Sequence, residues 1–132
     1  MAVSSFGPGN TMANPAPTIT KTDDVTCICL GPEFENLDET LLDQIRDQVL
    51  DAAKNADPPL VVIDLQHTKF FGSSFIEVLF RIWNRINALP NGGFAIAGLT
   101  DYCREVLEIT HLDKLWQMTA TLDEGVALLS KK

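Results

Sequence analysis

The sequence predicts an α/β domain built on a mixed, mostly parallel sheet of about five strands with about four helices. Three observations carry this. The run Leu60–Leu65 is nearly all apolar, as in strands covered on both faces. Two segments flanking it, Leu37–Ala53 and Phe75–Leu89, repeat their apolar residues at helical spacing. From there to the C-terminus short apolar runs alternate with helical patterns, the order of parallel strands joined by helical crossovers.

Met1–Pro17 is dominated by Ala, Ser, Gly, Pro and Asn and has little to bury, so it is expected to be a flexible tail ahead of a domain spanning 18–132. Thr18–Leu30 holds the runs TITKT and VTCICL around the polar pair Asp23-Asp24, which suggests an antiparallel hairpin. In Leu37–Ala53, Leu41, Leu42, Ile45, Val49 and Ala52 fall on one helical face. Glu39, Asp43, Asp47 and Asp51 recur every four residues opposite, giving an acidic surface. Asp57-Pro58-Pro59 stops this helix, and Leu60–Leu65 follows as the central strand.

Gly72-Ser73-Ser74 is the hinge into the next helix. Phe75, Ile76, Leu79, Ile82, Trp83 and Ile86 form its buried stripe, while Glu77, Arg81, Asn84 and Arg85 point away. The helix ends near Pro90-Asn91-Gly92-Gly93. Phe94–Leu99 reads as a strand, and Thr100 or Asp101 as the cap of a third helix through Ile109, with Val106, Leu107 and Leu115 available for packing. Met118–Leu122 is the last strand candidate and Asp123–Leu129 a short terminal helix. The resulting order is β-β-α-β-α-β-α-β-α.

At 132 residues the chain is long enough for one substantial core and too short for two ordinary domains. Its 18 acidic against 10 basic side chains, a net charge of −8, repel phosphate backbones and anionic lipid, so neither nucleic acid nor a membrane is an expected partner. No apolar run approaches the roughly 20 residues of a membrane span, and the N-terminus has no secretory pattern, so a cytoplasmic location is expected. Cys27 and Cys29, at i and i+2, point the same way without facing each other for a disulfide; with Cys103 they read as reduced, buried side chains. A C-x-C and two scattered histidines offer too few ligands for a metal, and no cofactor is called for.

A hydroxyl where a strand end meets a helix start lies near unpaired backbone N–H groups and the positive end of the helix dipole, which favour an acceptor or anion. Serine is also a favoured N-cap, contributing about 1 kcal/mol, and Ser74 is assigned mainly to that role. Counted from Ser73, Glu77, Phe80 and Asn84 follow at i+4, i+7 and i+11 and share one flank with the hinge; Phe80 is either the edge of the core or a partly exposed aromatic suited to a partner. A serine hydrolase does not fit, because G-x-S-x-G would need a glycine at Ile76 and no triad spacing is present.

The strand Val61-Val62-Ile63-Asp64-Leu65, the aromatic pair Phe70-Phe71 and the junction Gly72-Ser73-Ser74-Phe75 resemble the STAS domain, in particular its anti-sigma-factor antagonist branch. Gly92-Gly93 before a strand ending in Gly98-Leu99, and the segments Val106–Ile109 and Leu112–Leu115, fit as well. The resemblance implies a STAS-like α/β fold and a non-catalytic signalling module that binds an anti-sigma factor or serine kinase of the histidine-kinase-like ATPase type. It leaves a homodimer open. By position the phosphoacceptor would be Ser73, with Gly72, Ser74, Glu77, Phe80 and Asn84 as hinge and partner-binding candidates. Two departures stand out: Gly72 occupies the place of the family's Asp, and Phe75 that of its Gly. Losing the Asp removes an acceptor for the serine hydroxyl and also a like charge beside a phosphate. Phe75 supplies either a core contact or an apolar lip, the core matching its place in the stripe. Two alternatives remain: a STAS scaffold that works without phosphorylation, or a nucleotide- or anion-responsive domain using the hinge N–H groups, for which no Gly-x-x-x-x-Gly-Lys loop is present.

Overall fold

The structure, a computed structural model, describes residues 16–130. All of the proposed tail except Ala16 and Pro17 lies outside the described residues. The chain opens with strands β1 (Thr18–Thr22) and β2 (Val25–Cys29), antiparallel and joined by Asp23-Asp24. Both aspartates have positive φ, 51° and 70°, the backbone of a two-residue hairpin turn whose twist matches that of the strands.

After a 3₁₀ turn, Pro32–Phe34, a two-residue strand β3 (Asn36–Leu37) leads into helix α1 (Glu39–Lys54). The central strand β4 (Leu60–Asp64) follows, then a second two-residue strand β5 (Phe70–Phe71), helix α2 (Ser73–Asn87) and strand β6 (Gly93–Ala97). Helix α3 (Asp101–Ile109), a 3₁₀ turn (Leu112–Lys114), strand β7 (Gln117–Thr119) and helix α4 (Leu122–Ser130) complete the chain.

The main sheet has the order β1-β2-β4-β6-β7, with every pair after the hairpin parallel. Alternation along the central strands divides the core in two. Val61 and Ile63, with Ile28, Phe94 and Ile96, meet α1, α2 and α3 on one face. Leu60 and Val62, with Val25, Cys27, Ala95 and Ala97, meet Val126 and Leu129 of α4 on the other. That two-sided cover is why β4 reads as an unbroken apolar run.

The fold is the expected α/β arrangement, and it differs from the sequence reading in local detail. The pair β3–β5 is additional: a two-residue parallel ladder, Asn36 against Phe70 and Leu37 against Phe71, too short to show any periodicity. In α1 the buried stripe ends on Ala53, with Ala52 half-buried, and in α2 Val78 joins it. Leu115 does not pack; it is exposed at the end of the 3₁₀ turn, and Trp116 fills the interior instead. The last strand ends at Thr119, and α4 starts at Leu122.

Candidate functional site

The ladder β3–β5 brings two helix starts together. Glu35 accepts hydrogen bonds through its carbonyl from Lys69 N (2.8 Å) and Phe70 N (3.1 Å), so the chain entering α1 is tied to the chain entering α2. Both Leu37 and Phe71 turn inward and are buried, which anchors the ladder to the core. The two helices pack against each other from these neighbouring starts.

Between them lies a groove of about 250 Å³, lined by Leu37, Asp38, Glu39, Leu42, Phe70, Gly72, Ser73, Ser74 and Phe75. Ser73 is the first residue of α2 and is exposed; Ser74 is half-buried beside it. The N-cap of α2 is Gly72, and it supplies no side-chain hydrogen bond. Neither serine caps the helix, which corrects the sequence assignment of Ser74: Ser73 and Ser74 lie one and two positions past the cap residue, already in helical conformation. The start of α1 is different, because the Asp38 carboxylate accepts from Leu41 N at 2.9 Å. One helix N-terminus is thus satisfied by a carboxylate and the other has no side-chain cap.

Beneath the groove, Phe75 is fully buried with its ring 5.3 Å from that of Phe71. It is a core residue, and the helix start is pinned through it. Gly72 has φ −98° and ψ −179°, extended backbone that any residue adopts, and a Cβ placed there would meet nothing within 4 Å. Glycine is therefore not imposed by conformation at this position. The loop before β5 is held from the other side: Thr68 accepts through its carbonyl from Thr100 Oγ1 (3.0 Å) and Cys103 Sγ (3.5 Å). Thr100 stands at the N-cap position of α3, but its hydroxyl serves this loop and does not cap the helix.

Gly72, Ser73 and Ser74 share the groove. Glu77, one turn on, is exposed; Asn84 is also exposed but lies eleven residues beyond Ser73, about 16 Å along the axis. Phe80 is half-buried, edge-on to Trp116 (5.1 Å) and Trp83 (6.4 Å), and does not line the groove. The groove's carboxylates, Asp38 and Glu39, and its exposed aromatic Phe70 were not singled out as partner-binding residues by the sequence reading. The available signal was the Asp38-x-x-Leu41 cap at the helix start. A larger concavity of about 520 Å³, lined by residues including Arg104, Lys114 and Trp116, contains none of the proposed site residues.

Burial pushes the thiol of Cys29 up to about 11, with the Asp64 and Cys27 charges adding to the effect. Cys27 and Cys103 are raised by burial too, partly offset by hydrogen bonds from neighbouring threonines. All three are free thiols. Among the described residues no group of His, Cys, Asp or Glu could hold a metal ion, and no helix is long and apolar enough to cross a membrane.

A five-stranded mixed sheet covered on both faces, with a serine-bearing groove between two clasped helix starts, defines a small α/β domain whose site is a shallow surface feature. The chain belongs to the STAS domain family, whose sequence profile matches residues 16–125. An anti-sigma-factor antagonist (STAS) domain protein from Planctomyces limnophilus is 39% identical, covers 87% of this chain and 98% of its own, and superposes with a TM-score of 0.83. An anti-sigma factor antagonist from Mycobacterium paratuberculosis is 22% identical over 86% of this chain and 92% of its own, with a TM-score of 0.71. The phosphorylated Bacillus cell fate determinant SpoIIAA is 20% identical over 86% and 98%, with a TM-score of 0.62. No curated protein sequence matches the chain. The fold is that of the anti-sigma-factor antagonist type of STAS domain.

Proposed function

We propose that the protein is a non-catalytic signalling module that binds an anti-sigma factor acting also as a serine kinase, of the histidine-kinase-like ATPase type, and that phosphorylation of Ser73 releases it. The observation that carries this reading is an exposed serine at the first position of a fifteen-residue helix with no side-chain cap, in a groove open to a partner. The unfilled N–H groups of α2 and its dipole favour a phosphate at Ser73. Asp38 and Glu39 across the groove oppose it, so the doubly charged group disturbs the groove's surface while the core beneath is unaffected. Gly72, Ser74, Glu77, Asn84 and the half-buried Phe80 supply the rest of the contact face.

The test is incubation with ATP and a purified ATPase of that type from the same source as the protein. Expected are a mass gain of one phosphate, its absence in Ser73→Ala, and binding weakened about tenfold or more in Ser73→Asp, the loss typical of a charge placed in an interface. No phosphate and equal binding by all three forms would overturn the switch. Gly72 favours a second reading, a scaffold that binds without phosphorylation, since the acceptor carboxylate beside the serine is missing. Under that reading Ser73→Ala and Ser73→Asp bind the partner as the wild type does.

A further inference from the structure

The geometry points to the outer flank of α3, extended by Phe70, as a docking strip for a basic amphipathic helix of a protein partner. Tyr102, Val106 and Ile109 recur at i, i+4 and i+7 and so form one row along the helix. Tyr102 is 48% and Ile109 69% exposed, and Val106 is half-buried between them. Phe70, 42% exposed, stacks on Tyr102 with ring centroids 5.8 Å apart. A single exposed isoleucine is ordinary; a row of three apolar side chains continued by a stacked aromatic is a patch.

Charge selects the occupant. Asp101, Glu105 and Glu108 recur at the same i, i+4, i+7 spacing, as a second row bordering the apolar one, and all three are exposed. Among the described residues none of them is within ion-pair distance of a basic side chain, the two ion pairs being Arg46–Asp43 and Lys69–Glu35. Like charges at this spacing repel, so the row is left for a partner to neutralise. A helix with an apolar face edged by Lys or Arg matches both rows at once. Helix α1 makes the contrast: it has Glu39, Asp43, Asp47 and Asp51 in a row, but its apolar stripe of Leu42, Ile45, Val49 and Ala53 is buried in the core. It offers charge without an apolar row.

Phe70 also lines the Ser73 groove, so the strip deepens the reading of that face as protein-binding and rests on it in part. The probe is a synthetic Leu/Lys peptide patterned as an amphipathic helix, compared with a scramble of the same composition, each titrated into the 15N-labelled full chain. Expected are shifts concentrated on α3 and Phe70, binding about tenfold tighter than the scramble, and a similar loss in Tyr102→Ala/Ile109→Asp, with Ile109→Gln as a milder surface variant verified by its melt. Equal binding of the scramble, shifts on α1 as large as on α3, or undiminished binding by both variants would overturn the strip. This experiment involves neither Ser73 nor a kinase. Failure here with a Ser73-dependent response to the ATPase removes the strip alone; the reverse outcome removes the switch alone.

Discussion

Replacing Gly72 by Asp, the residue the family usually places there, tests the hinge geometry and the proposed switch together. The structure gives the new side chain room, since a Cβ at Gly72 meets nothing within 4 Å, and its φ of −98° and ψ of −179° suit any residue. At the N-cap of α2 the carboxylate can accept from a first-turn N–H, gaining a few tenths of a kcal/mol over glycine. It also faces the helix dipole, and loss of glycine's freedom in the unfolded chain adds roughly 0.4–1 kcal/mol. Against this stands repulsion from Asp38 and Glu39 across the groove, a few tenths at surface exposure. The net is a stabilisation of about 1 kcal/mol, which for a domain of this size raises Tm by roughly 3–5 °C. Thermal melts and urea titrations of Gly72→Asp against wild type measure it. A loss of stability instead would mean that the α2 start is not the open, extended cap described. Under the proposed switch the same variant accepts phosphate at Ser73 faster, because the hydroxyl regains a neighbouring acceptor.

Three further perturbations probe the core and the sheet. Phe75→Ala empties a fully buried site against Phe71 and is expected to cost about 3–5 kcal/mol in urea unfolding; a cost near zero would make Phe75 a surface lip. Gly98→Ala forces a side chain into φ +72° and sets its Cβ 2.9 Å from Asp64 Oδ1, so thermal melts should show a loss of about 1–2 kcal/mol or more, and an unchanged Tm would contradict that close approach. The raised thiol of Cys29 makes stability fall in alkali: its contribution is fully present below the ordinary thiol value of 9.0 and is lost as pH rises through about 11, where the unfolded chain already carries the thiolate. Urea unfolding across that window should show the decline, and Cys29→Ser should flatten part of it.

The elements that read clearly from sequence are those whose pattern is local. The hairpin is announced by two β-branched runs around Asp23-Asp24, β4 by five consecutive buried residues, and α1 and α2 by stripes on Leu42, Ile45 and Val49 and on Phe75, Leu79 and Ile82. Of the hinge Gly72-Ser73-Ser74 only Gly72 lies between strand and helix; Ser73 and Ser74 are inside α2, and Ser74, two residues past Gly72, does not take the capping role its composition suggests. Leu115 reads as a packing residue because it is apolar, but beyond the left-handed residue His111 (φ 64°) and the 3₁₀ turn it is exposed, and its neighbour Trp116 is the one buried. The ladder of Asn36-Leu37 with Phe70-Phe71 is two residues long on each side, below the length at which alternation can register.

The amino-acid order alone therefore determined the α/β class, the succession of strands and helices, the central strand and the serine at a strand-to-helix junction, because periodicity and turn chemistry act over a few neighbouring residues. Tertiary structure decided which helix starts meet. Asp38 and Ser73 are 35 residues apart in the chain, and only the pairing of β3 with β5 sets them on one groove. It likewise decided that Phe70 stacks on Tyr102 and opens toward α3, since contacts between distant segments depend on how the sheet and its helices pack, a property no local pattern contains.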